Sequence, residues 1–404
     1  MTTIEKENLF CAYNYHPLPV VLTKGEGVWL WDENGKKYLD MMSAYSAVSH
    51  GHSHPRMVKA LCDQAAKLAI TSRAYHTDKL APFLEKICRV SGMDMALPMN
   101  TGAEAVETAI KAARLWGYKS KGIAKDKAEI IVAEGNFHGR TTTVISFSSE
   151  EEYKANFGPL TPGFKIVDYG DVDAMRAAIT ENTCAILIEP IQGEAGIRIP
   201  PAGYLKALRK LCDENNVLLI LDEIQSGLGR TGKNFCFEHE GILPDGLTLG
   251  KALGGGMMPV SCFLAKREVM ELFRPGSHGS TFGGNPLAAA VATEALTVLE
   301  EDKLVENSQK LGAYMLHEIA QISTHLIREA RGLGLWIGVD FDPERVSARE
   351  VCERLMERGI LSKETHETVV RFAPPLIITR EEVDWALEQF REVVAEIEAR
   401  QNAA

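Results

Sequence analysis

Short apolar runs alternate with helix-period segments between about residues 100 and 290. Four runs are nearly continuous in apolar residues. They are E-I-I-V-A-E-G (129–135), C-A-I-L-I-E-P (184–190), V-L-L-I-L-D-E (217–223) and P-V-S-C-F-L-A (259–265). Continuous apolar strands separated by helices indicate a mostly parallel sheet with both faces covered. The pattern therefore predicts an α/β fold.

The flanking segments have a different pattern. The pattern of residues 20–50 predicts short strands and turns. An acidic residue followed by Asn-Gly, at 33–35, is typical of a β-hairpin. A helix is predicted from about Pro55 to Leu68. We expect residues 1–49 and 291–404 to build a smaller α+β domain and residues 50–290 to form the large α/β domain.

The last helix is predicted to begin at Thr379, which with Glu382 forms a capping box. Apolar residues then recur at helical spacing and predict one buried face. They are Val383, Ala386, Leu387, Phe390, Val394 and Ile397.

Composition narrows the function class. The 404 residues are 45% hydrophobic and 25% charged, as in ordinary globular proteins. A net charge of −11 argues against a nucleic-acid or anionic-membrane partner. The N-terminus lacks a signal-peptide pattern, and no apolar run approaches the ~20 residues that span a bilayer. We therefore expect a cytoplasmic protein.

The eight cysteines form no C-x-x-C pair, so buried free thiols in a reducing cytosol are expected. Six lie in apolar periodic segments: Cys62, Cys88, Cys184, Cys212, Cys262 and Cys352.

A carboxylate and a lysine at a defined spacing are the first candidates for catalytic residues. Asp222 ends the apolar run that starts at Val217, and Lys251 follows 29 residues later in G-K-A-L-G-G-G. A Schiff-base lysine and an aspartate on a pyridinium nitrogen are what a pyridoxal-phosphate (PLP) enzyme needs. Desolvation should depress the pKa of Lys251. A solvated surface lysine is the alternative.

The segment N-T-G-A-E opens a helix. Thr101 and Glu104 form a capping box, while Gly102 and Ala103 offer free N–H groups to an anion. An ordinary capped helix and a phosphate cradle both fit. The loop G-S-T-F-G-G-N-P, residues 279–286, carries two hydroxyls and suits phosphate oxygens or a plain turn.

Candidate ligand-binding residues follow three of the predicted strands. Open α/β sheets bind their ligands at this end of the strands. Phe137 could stack on a planar ring or belong to the core, and Arg140 could bind a carboxylate or form a surface ion pair. Glu194 lies between two glycines. We interpret it as a solvated loop residue unless an arginine points toward it. Gln225 stands at the same strand end as Asp222.

Three histidines alternate in H-G-H-S-H-P, residues 50–55. No carboxylate or cysteine adjoins them in the sequence, so a turn before the helix at Pro55 is favoured over a metal site. We expect no metal.

Taken in order, these motifs resemble the class III aminotransferases of PLP fold type I, over Asn14 to Pro375. Within that family the chain is similar to the ornithine δ-aminotransferases. The similarity is carried by N-Y-H-P-L-P-V (14–20), S-A-Y-S-A-V (43–48), M-N-T-G-A-E-A-V-E (99–107), G-K-A-L-G-G-G (250–256), G-S-H-G-S-T-F-G-G-N-P (276–286) and R-F-A-P-P-L (371–376). His138 departs from animal-type members, which usually have an indole there.

The resemblance implies a role for each matching position. Lys251 carries the cofactor and shuttles the proton, and Asp222 pairs with the pyridinium nitrogen. The remaining cofactor residues are Thr101, Gly102, Ala103, Phe137 and Gln225, with Ser280 and Thr281 from the partner subunit of a homodimer. The implied substrate-binding residues are Tyr15, Tyr45, Arg140, Glu194 and Arg371.

The same resemblance suggests how one pocket serves two substrates. Ornithine presents an amine with no carboxylate nearby, whereas 2-oxoglutarate presents a keto carbon beside one. If Glu194 masks Arg371, ornithine enters terminal amine first. A dicarboxylate can displace Glu194, with Arg371 taking its α-carboxylate and Arg140 its distal one.

The expected reaction converts L-ornithine and a 2-oxo acid to glutamate 5-semialdehyde, which cyclises to pyrroline-5-carboxylate, and an amino acid. One rival is an ω-aminotransferase for acetylornithine, GABA or diaminobutyrate. Another is a PLP aminomutase, and a third is a non-catalytic binding module.

Overall fold

Three sheets are distributed along the chain in the computed structural model, which describes residues 1–403. The strands are β1 (Leu22–Glu26), β2 (Trp29–Asp32), β3 (Lys37–Asp40), β4 (Met95–Met99), β5 (Glu129–Ala133), β6 (Phe164–Val167), β7 (Thr183–Ile188), β8 (Leu218–Asp222), β9 (Gly246–Leu249), β10 (Ser261–Ala265), β11 (Ile327–Gly332), β12 (Ile337–Phe341), β13 (Ile360–Leu361), β14 (Lys363–Thr365) and β15 (Val369–Phe372).

Helices separate most of these strands, and a few are single turns. They are α1 (Thr3–Phe10), α2 (Ser43–Ser46), α3 (Pro55–Ala65), α4 (Leu80–Ser91), α5 (Gly102–Trp116), α6 (Thr142–Ile145), α7 (Glu151–Lys154), α8 (Val172–Ala178), α9 (Tyr204–Asn215), α10 (Arg267–Met270), α11 (Pro286–Glu301), α12 (Leu304–Ala320), α13 (Ala348–Glu357) and α14 (Arg380–Ala403). A π turn spans Gly117–Lys121, and 3₁₀ turns span Cys236–His239 and Lys251–Gly254.

The central sheet has seven strands in the order β4-β10-β9-β8-β7-β5-β6. Five neighbouring strands, from β9 to β6, are parallel. Strand β10 runs antiparallel to both of its neighbours. The mostly parallel α/β fold is thus confirmed, although the 259–265 run forms the reversed strand. An apolar run reports burial on both faces but carries no information about direction.

Alternate residues of each central strand reach opposite faces of the sheet, because the side-chain period of a strand is two. In β8, Leu218 and Ile220 join one core cluster, while Leu219 and Leu221 join the other. All four side chains are at most 3% exposed. The strand therefore contributes apolar surface to two cores at about 1.5–3 kcal/mol per buried side chain.

Both ends of the chain contribute to one of the outer sheets, of order β1-β2-β3-β13. The predicted hairpin is present, with β2 antiparallel to β3, and Ile360 of β13 pairs in parallel with Leu39. The other outer sheet, β11-β12-β15-β14, lies wholly in the C-terminal part. The domain boundaries at 49/50 and 290/291 stay a prediction.

The prediction about the thiols is wrong for one position. Cys62 is exposed and Cys88 is partly buried, whereas the other four singled out are buried. Helix α3 buries Met57 and Gln64, and Cys62 lies off that stripe. No helix within residues 1–403 is long and apolar enough to cross a membrane.

Candidate active site

Parallel strands end at a common edge, and this edge forms a pocket. The loop after β5 supplies Phe137, the loop after β7 supplies Glu189, the end of β8 supplies Asp222, and the turn after β9 supplies Lys251. The pocket is lined by Gly102, Ala103, Phe137, His138, Gly139, Glu189, Ile191, Asp222, Ile224, Gln225, Ser226 and Lys251. Six of the nine predicted cofactor residues are therefore brought together within one chain.

Asp222 has a partner that sequence reasoning missed. One of its carboxylate oxygens, Oδ2, lies 2.6 Å from Nδ1 of His138, and Oδ1 accepts a 3.1 Å hydrogen bond from the N–H of Ile224. Burial opposes a charged imidazole, but the hydrogen bond and charge of Asp222 outweigh it and raise the pKa of His138. The sequence did offer one indication of this contact, because His138 is a titratable residue next to Phe137, just beyond the end of a strand.

Glu189 is a second residue to which the sequence assigned no role of its own. Its carboxylate accepts hydrogen bonds from the N–H groups of Phe137 at 2.9 Å and Gly193 at 3.4 Å. Burial raises its pKa to about 7, and the neighbouring Asp222 adds to that effect while His138 opposes it. Glu189 thus ties the Phe137 loop to the loop that carries Glu194.

Lys251 begins a 3₁₀ turn with φ of +43°, a backbone conformation that favours glycine. The preceding strand, β9, fixes where this turn starts. Burial lowers the pKa of the Lys251 amine, and the carboxylates of Glu194, Asp222 and Glu189 oppose that effect. The sequence-based expectation of a depressed pKa is confirmed. A larger share of neutral amine is available for covalent chemistry as a result.

The other end of the pocket is the start of helix α5. Thr101 and Glu104 form the predicted capping box, with the Thr101 N–H donating to Glu104 at 2.8 Å. The Thr101 side chain is therefore used as a cap and lies outside the pocket lining. Gly139 permits a close approach here, because a Cβ on it would stand 3.1 Å from Cβ of Ala103. Gly102 and Ala103 present their N–H groups to an anion.

Ser280 and Thr281 lie outside the pocket lining of their own chain. The Ser280 hydroxyl accepts a 2.9 Å hydrogen bond from the amide of Asn100, and Thr281 is exposed. Next to them, Phe282 is 56% exposed.

The predicted masking pair is present. Nη1 of Arg371 donates to Oε1 of Glu194 at 2.8 Å, and the Arg371 side chain is 5% exposed. Burial by itself would raise the pKa of Glu194, but the charges of Arg371 and Lys251 outweigh it and keep that pKa below its usual value. Glu194 is therefore a charged partner in the site, and its default interpretation as a solvated loop residue is wrong.

Tyr45 and Arg140 lie at the mouth of the site, and each takes part in a contact between an aromatic ring and a guanidinium. The Arg371 guanidinium lies 5.1 Å from the ring centroid of Tyr45, and that of Arg140 lies 3.7 Å from the ring centroid of Tyr153. Tyr153, which also meets Phe137 edge-on at 6.3 Å, is a third contact that the sequence did not indicate. Tyr15 is 71% exposed.

The Tyr45 backbone is left-handed. All four residues of α2 have positive φ, between +46° and +73°, although none is glycine. Contacts from both sides hold the turn: Oδ1 of Asp40 accepts from the N–H of Ser43 at 2.8 Å, and the Ser43 hydroxyl donates to the carbonyl of Ala373 at 2.7 Å.

The three alternating histidines have separate partners, and Nε2 of His54 lies 3.8 Å from the carboxylate of Asp302. His50 Nε2 lies 2.9 Å from the carbonyl oxygen of Ala295, and His52 Nε2 lies 2.7 Å from the carboxylate of Asp40. A carboxylate thus does adjoin the histidines in space. Even so, no group of three or more His, Cys, Asp or Glu side chains in residues 1–403 is arranged to hold a metal ion.

Comparison with known proteins decides the family. The family model described as Aminotransferase class-III matches residues 10–394. An ornithine aminotransferase from Geobacillus sp. (strain WCH70) is 59% identical over 384 residues, covering 95% of this chain and 96% of that protein. This chain belongs to the class-III aminotransferases.

Other class-III aminotransferases extend the comparison. One from Bacillus subtilis (strain 168), named ornithine aminotransferase, is 56% identical over 391 residues, which is 97% of each chain. A crystal structure of the ornithine aminotransferase from Toxoplasma gondii superposes with a TM-score of 0.97, at 43% identity over 98% of this chain and 95% of that one. An acetylornithine aminotransferase structure from Elizabethkingia anophelis gives 0.89, at 47% identity over 97% and 98%.

Class-III aminotransferases depend on PLP, and the pocket fits that cofactor. It provides a buried carboxylate for a protonated ring nitrogen, Asp222, and a buried amine for the aldehyde, Lys251. Phe137 offers an aromatic face, and the start of α5 offers N–H groups to the phosphate. A pocket with these donors matches the chemistry of PLP group by group.

We predict that PLP is attached at Lys251. Reduction of the holoenzyme with borohydride should fix the cofactor on the peptide that contains Lys251, as read by mass spectrometry. Lys251→Ala should bind PLP without being labelled. Labelling of another lysine, for example Lys266 at the rim of the same sheet, would contradict the assignment.

A second prediction concerns His138. Replacing it with Asn should leave Asp222 with a weaker partner and raise the Kd of PLP about 10- to 150-fold, since a charge-assisted hydrogen bond contributes about 1.5–3 kcal/mol. Equilibrium titration of apoenzyme measures this. His325→Asn, at an exposed histidine paired with Glu398, is the control. An unchanged Kd in His138→Asn would show that Asp222 needs no support.

Proposed function

We propose that this class-III aminotransferase moves the δ-amino group of L-ornithine to a 2-oxo acid such as 2-oxoglutarate. The products are glutamate 5-semialdehyde, which cyclises to pyrroline-5-carboxylate, and glutamate. The contact that carries the proposal is the buried Glu194–Arg371 pair at 2.8 Å. The relatives named ornithine aminotransferase, at 56–59% identity over nearly the full length, support the same substrate.

The ion pair matters because an unmasked arginine would attract the wrong end of ornithine. Arg371 would bind the α-carboxylate and direct the α-amine to the cofactor. With Glu194 in place, the α-end stays at the mouth, where Arg140 and Tyr15 bind it and Tyr45 shapes the pocket. An ion pair in a desolvated site holds its geometry better than one at the surface, and removing one partner leaves the other uncompensated.

When bound, PLP supplies the electron sink for the carbon that loses its proton. The amine of Lys251, with its depressed pKa, moves that proton as a general base and returns it as a general acid. Asp222 would hold the proton on the ring nitrogen, and the 2.6 Å contact with His138 orients the carboxylate of Asp222. Phe137 would pack against the ring, and Gln225 would contact the ring oxygen.

The acetylornithine alternative is favoured by one observation. The structure of the acetylornithine aminotransferase is 47% identical to this chain, slightly more than the 43% of the Toxoplasma ornithine aminotransferase. The contexts of Tyr15 and Tyr45 favour ornithine. An aminomutase would need no dicarboxylate exchange, so the Glu194–Arg371 pair speaks against it.

An amino-donor screen tests the substrate. Ornithine, acetylornithine, GABA and diaminobutyrate are each offered with 2-oxoglutarate, and pyrroline-5-carboxylate and glutamate are measured. Ornithine should give the highest kcat/KM, and omitting 2-oxoglutarate should stop turnover after one half-reaction. A higher kcat/KM for acetylornithine, or turnover without an acceptor, would reject the proposal.

We predict that Glu194→Ala reverses the donor preference. Arg371 is then unmasked, so the kcat/KM of the ornithine half-reaction should fall about 10- to 150-fold while that of glutamate rises. Single-turnover spectra measure each half-reaction. Glu181→Ala removes the same charge from an exposed turn and should change neither. An unchanged ornithine-to-glutamate ratio in Glu194→Ala would place specificity in pocket shape.

We also propose a homodimer with shared sites, in which Ser280 and Thr281 bind the phosphate at the partner's pocket. Their position outside their own pocket lining and the exposed Phe282 support this arrangement. The large exposed apolar residues near the N-terminus, Leu9, Phe10 and Tyr13, provide further apolar surface for an interface.

Subunit mixing tests the shared site. Lys251→Ala and the double variant Ser280→Ala/Thr281→Ala should each be inactive or weak alone. Mixed after dissociation, they should regain activity, because one site of each heterodimer then has all three residues intact. Each variant taken alone through the same dissociation and reassociation serves as the control, because no homodimer of either variant acquires an intact site. Failure to recover activity, or a fully active PLP-saturated monomer, would contradict the shared site.

A further inference from the structure

The loop that carries Glu194 is closed at its base. Gln192 and Arg198 exchange two backbone hydrogen bonds, at 3.1 and 2.9 Å. Inside the loop, the N–H groups of Gly196 and Ile197 both donate to the carbonyl of Gly193 at 3.2 Å. Glu194 therefore stands on a turn whose two ends cannot separate without breaking backbone hydrogen bonds.

The turn nevertheless contains an unfavourable backbone conformation. Ile197 has φ of +55° and is fully buried. For a β-branched residue this region is a genuine outlier, which persists only where the surrounding contacts impose it. Left to itself, the turn would relax toward another conformation and move Glu194 with it.

Arg331 of β11 donates hydrogen bonds to the segment that has this conformation. Its guanidinium donates to the carbonyl of Gly196 at 2.8 and 3.1 Å and to that of Ile197 at 3.2 Å. The ion pair with Glu329, at 2.6 Å, fixes the outer side of the same guanidinium. Three hydrogen bonds from one planar group therefore hold two successive carbonyls of the strained segment.

A second contact holds Glu194 itself. The hydroxyl of Thr365 donates to the backbone carbonyl of Glu194. Thr365 lies in β14, whose neighbour β15 carries Arg371, the partner of the Glu194 side chain. One pair of strands thus contacts Glu194 twice, at its main chain and at its carboxylate.

We propose that Arg331 and Thr365 are positioning residues that hold the main chain of Glu194 still while its side chain leaves and returns to Arg371. A dicarboxylate then displaces only the carboxylate of Glu194, and the pair forms again when ornithine binds. The inference rests on the proposed donor preference. Neither residue touches the pocket, so both act through Glu194.

Two variants test the proposal, each removing one contact. Arg331→Lys keeps the charge for Glu329 but cannot reproduce the three hydrogen bonds of the guanidinium. Thr365→Val removes the hydroxyl, and Thr365→Ser restores it. Arg328→Lys is the matched control, because Arg328 lies in the same strand but, within residues 1–403, donates only to the carbonyl of Phe341.

Two readouts are needed. In single-turnover assays, the ornithine-to-glutamate ratio of kcat/KM should fall about three- to tenfold in Arg331→Lys and Thr365→Val, the size expected from losing one or two hydrogen bonds. It should return in Thr365→Ser and stay unchanged in Arg328→Lys. By hydrogen exchange and mass spectrometry, the amides of residues 192–198 should exchange faster in the first two variants, with or without PLP.

The outcomes are distinguishable. Faster exchange with an unchanged substrate ratio would show that a fixed main chain is not needed for the switch, and unchanged exchange would show that these contacts do not hold the loop. Either result overturns the proposal. If wild-type enzyme did not use ornithine, the proposed function would fail in the donor screen, while the exchange experiment would still report on the loop.

Discussion

The structure depends on a simple electrostatic constraint: a charge at the end of a buried strand needs a partner. Asp222 is the last residue of β8, and the other four residues of that strand are at most 3% exposed. Its partner is His138, at 2.6 Å. The same constraint applies to Arg371, which is 5% exposed and is neutralised by Glu194. Members of both pairs act on the charge of Lys251, so the site is a set of mutually compensated charges before any substrate arrives.

The surroundings of Lys251 act on the protonation of its amine in opposite directions. Burial favours its neutral amine, whereas three carboxylates favour the charged form, and burial prevails. If one carboxylate moves, the balance at the amine shifts with it, because the interaction between charges is stronger in a low dielectric. If Glu194 moves during the exchange of substrates as we propose, the charge environment of Lys251 changes at the same time, and one carboxylate then affects both donor selection and proton transfer.

Local sequence patterns were sufficient to predict the position of residues that stand where a strand or helix ends, although the resemblance supplied their roles. Asp222, Lys251, Phe137 and the start of α5 at Gly102 are of this kind, and parallel strands brought them together. The direction of β10 was not predictable, because continuous apolar character indicates only burial on both faces. The resemblance, not periodicity, suggested the pairing of Glu194 with Arg371.

Contacts between distant parts of the chain were out of reach of the sequence. His138 and Asp222 are 84 positions apart and are joined by one hydrogen bond that no periodicity encodes. Tyr153 and Glu189 act through ring packing and main-chain hydrogen bonds, which any aromatic or acidic residue near a loop could provide. These residues define the orientation of the predicted groups, which is the part of a site that side-chain packing decides.

The left-handed turn at Ser43–Ser46 has a consequence for how the molecule is assembled. Left-handed residues other than glycine cost roughly 1–2 kcal/mol each, so this turn is unstable in an isolated N-terminal segment. It is held by Ala373, which is 330 positions away. Contacts of such long range form late, since loop-closure entropy opposes them. The backbone conformation of Tyr45 therefore depends on the C-terminal part of the chain, and we expect that an isolated N-terminal segment would not keep it.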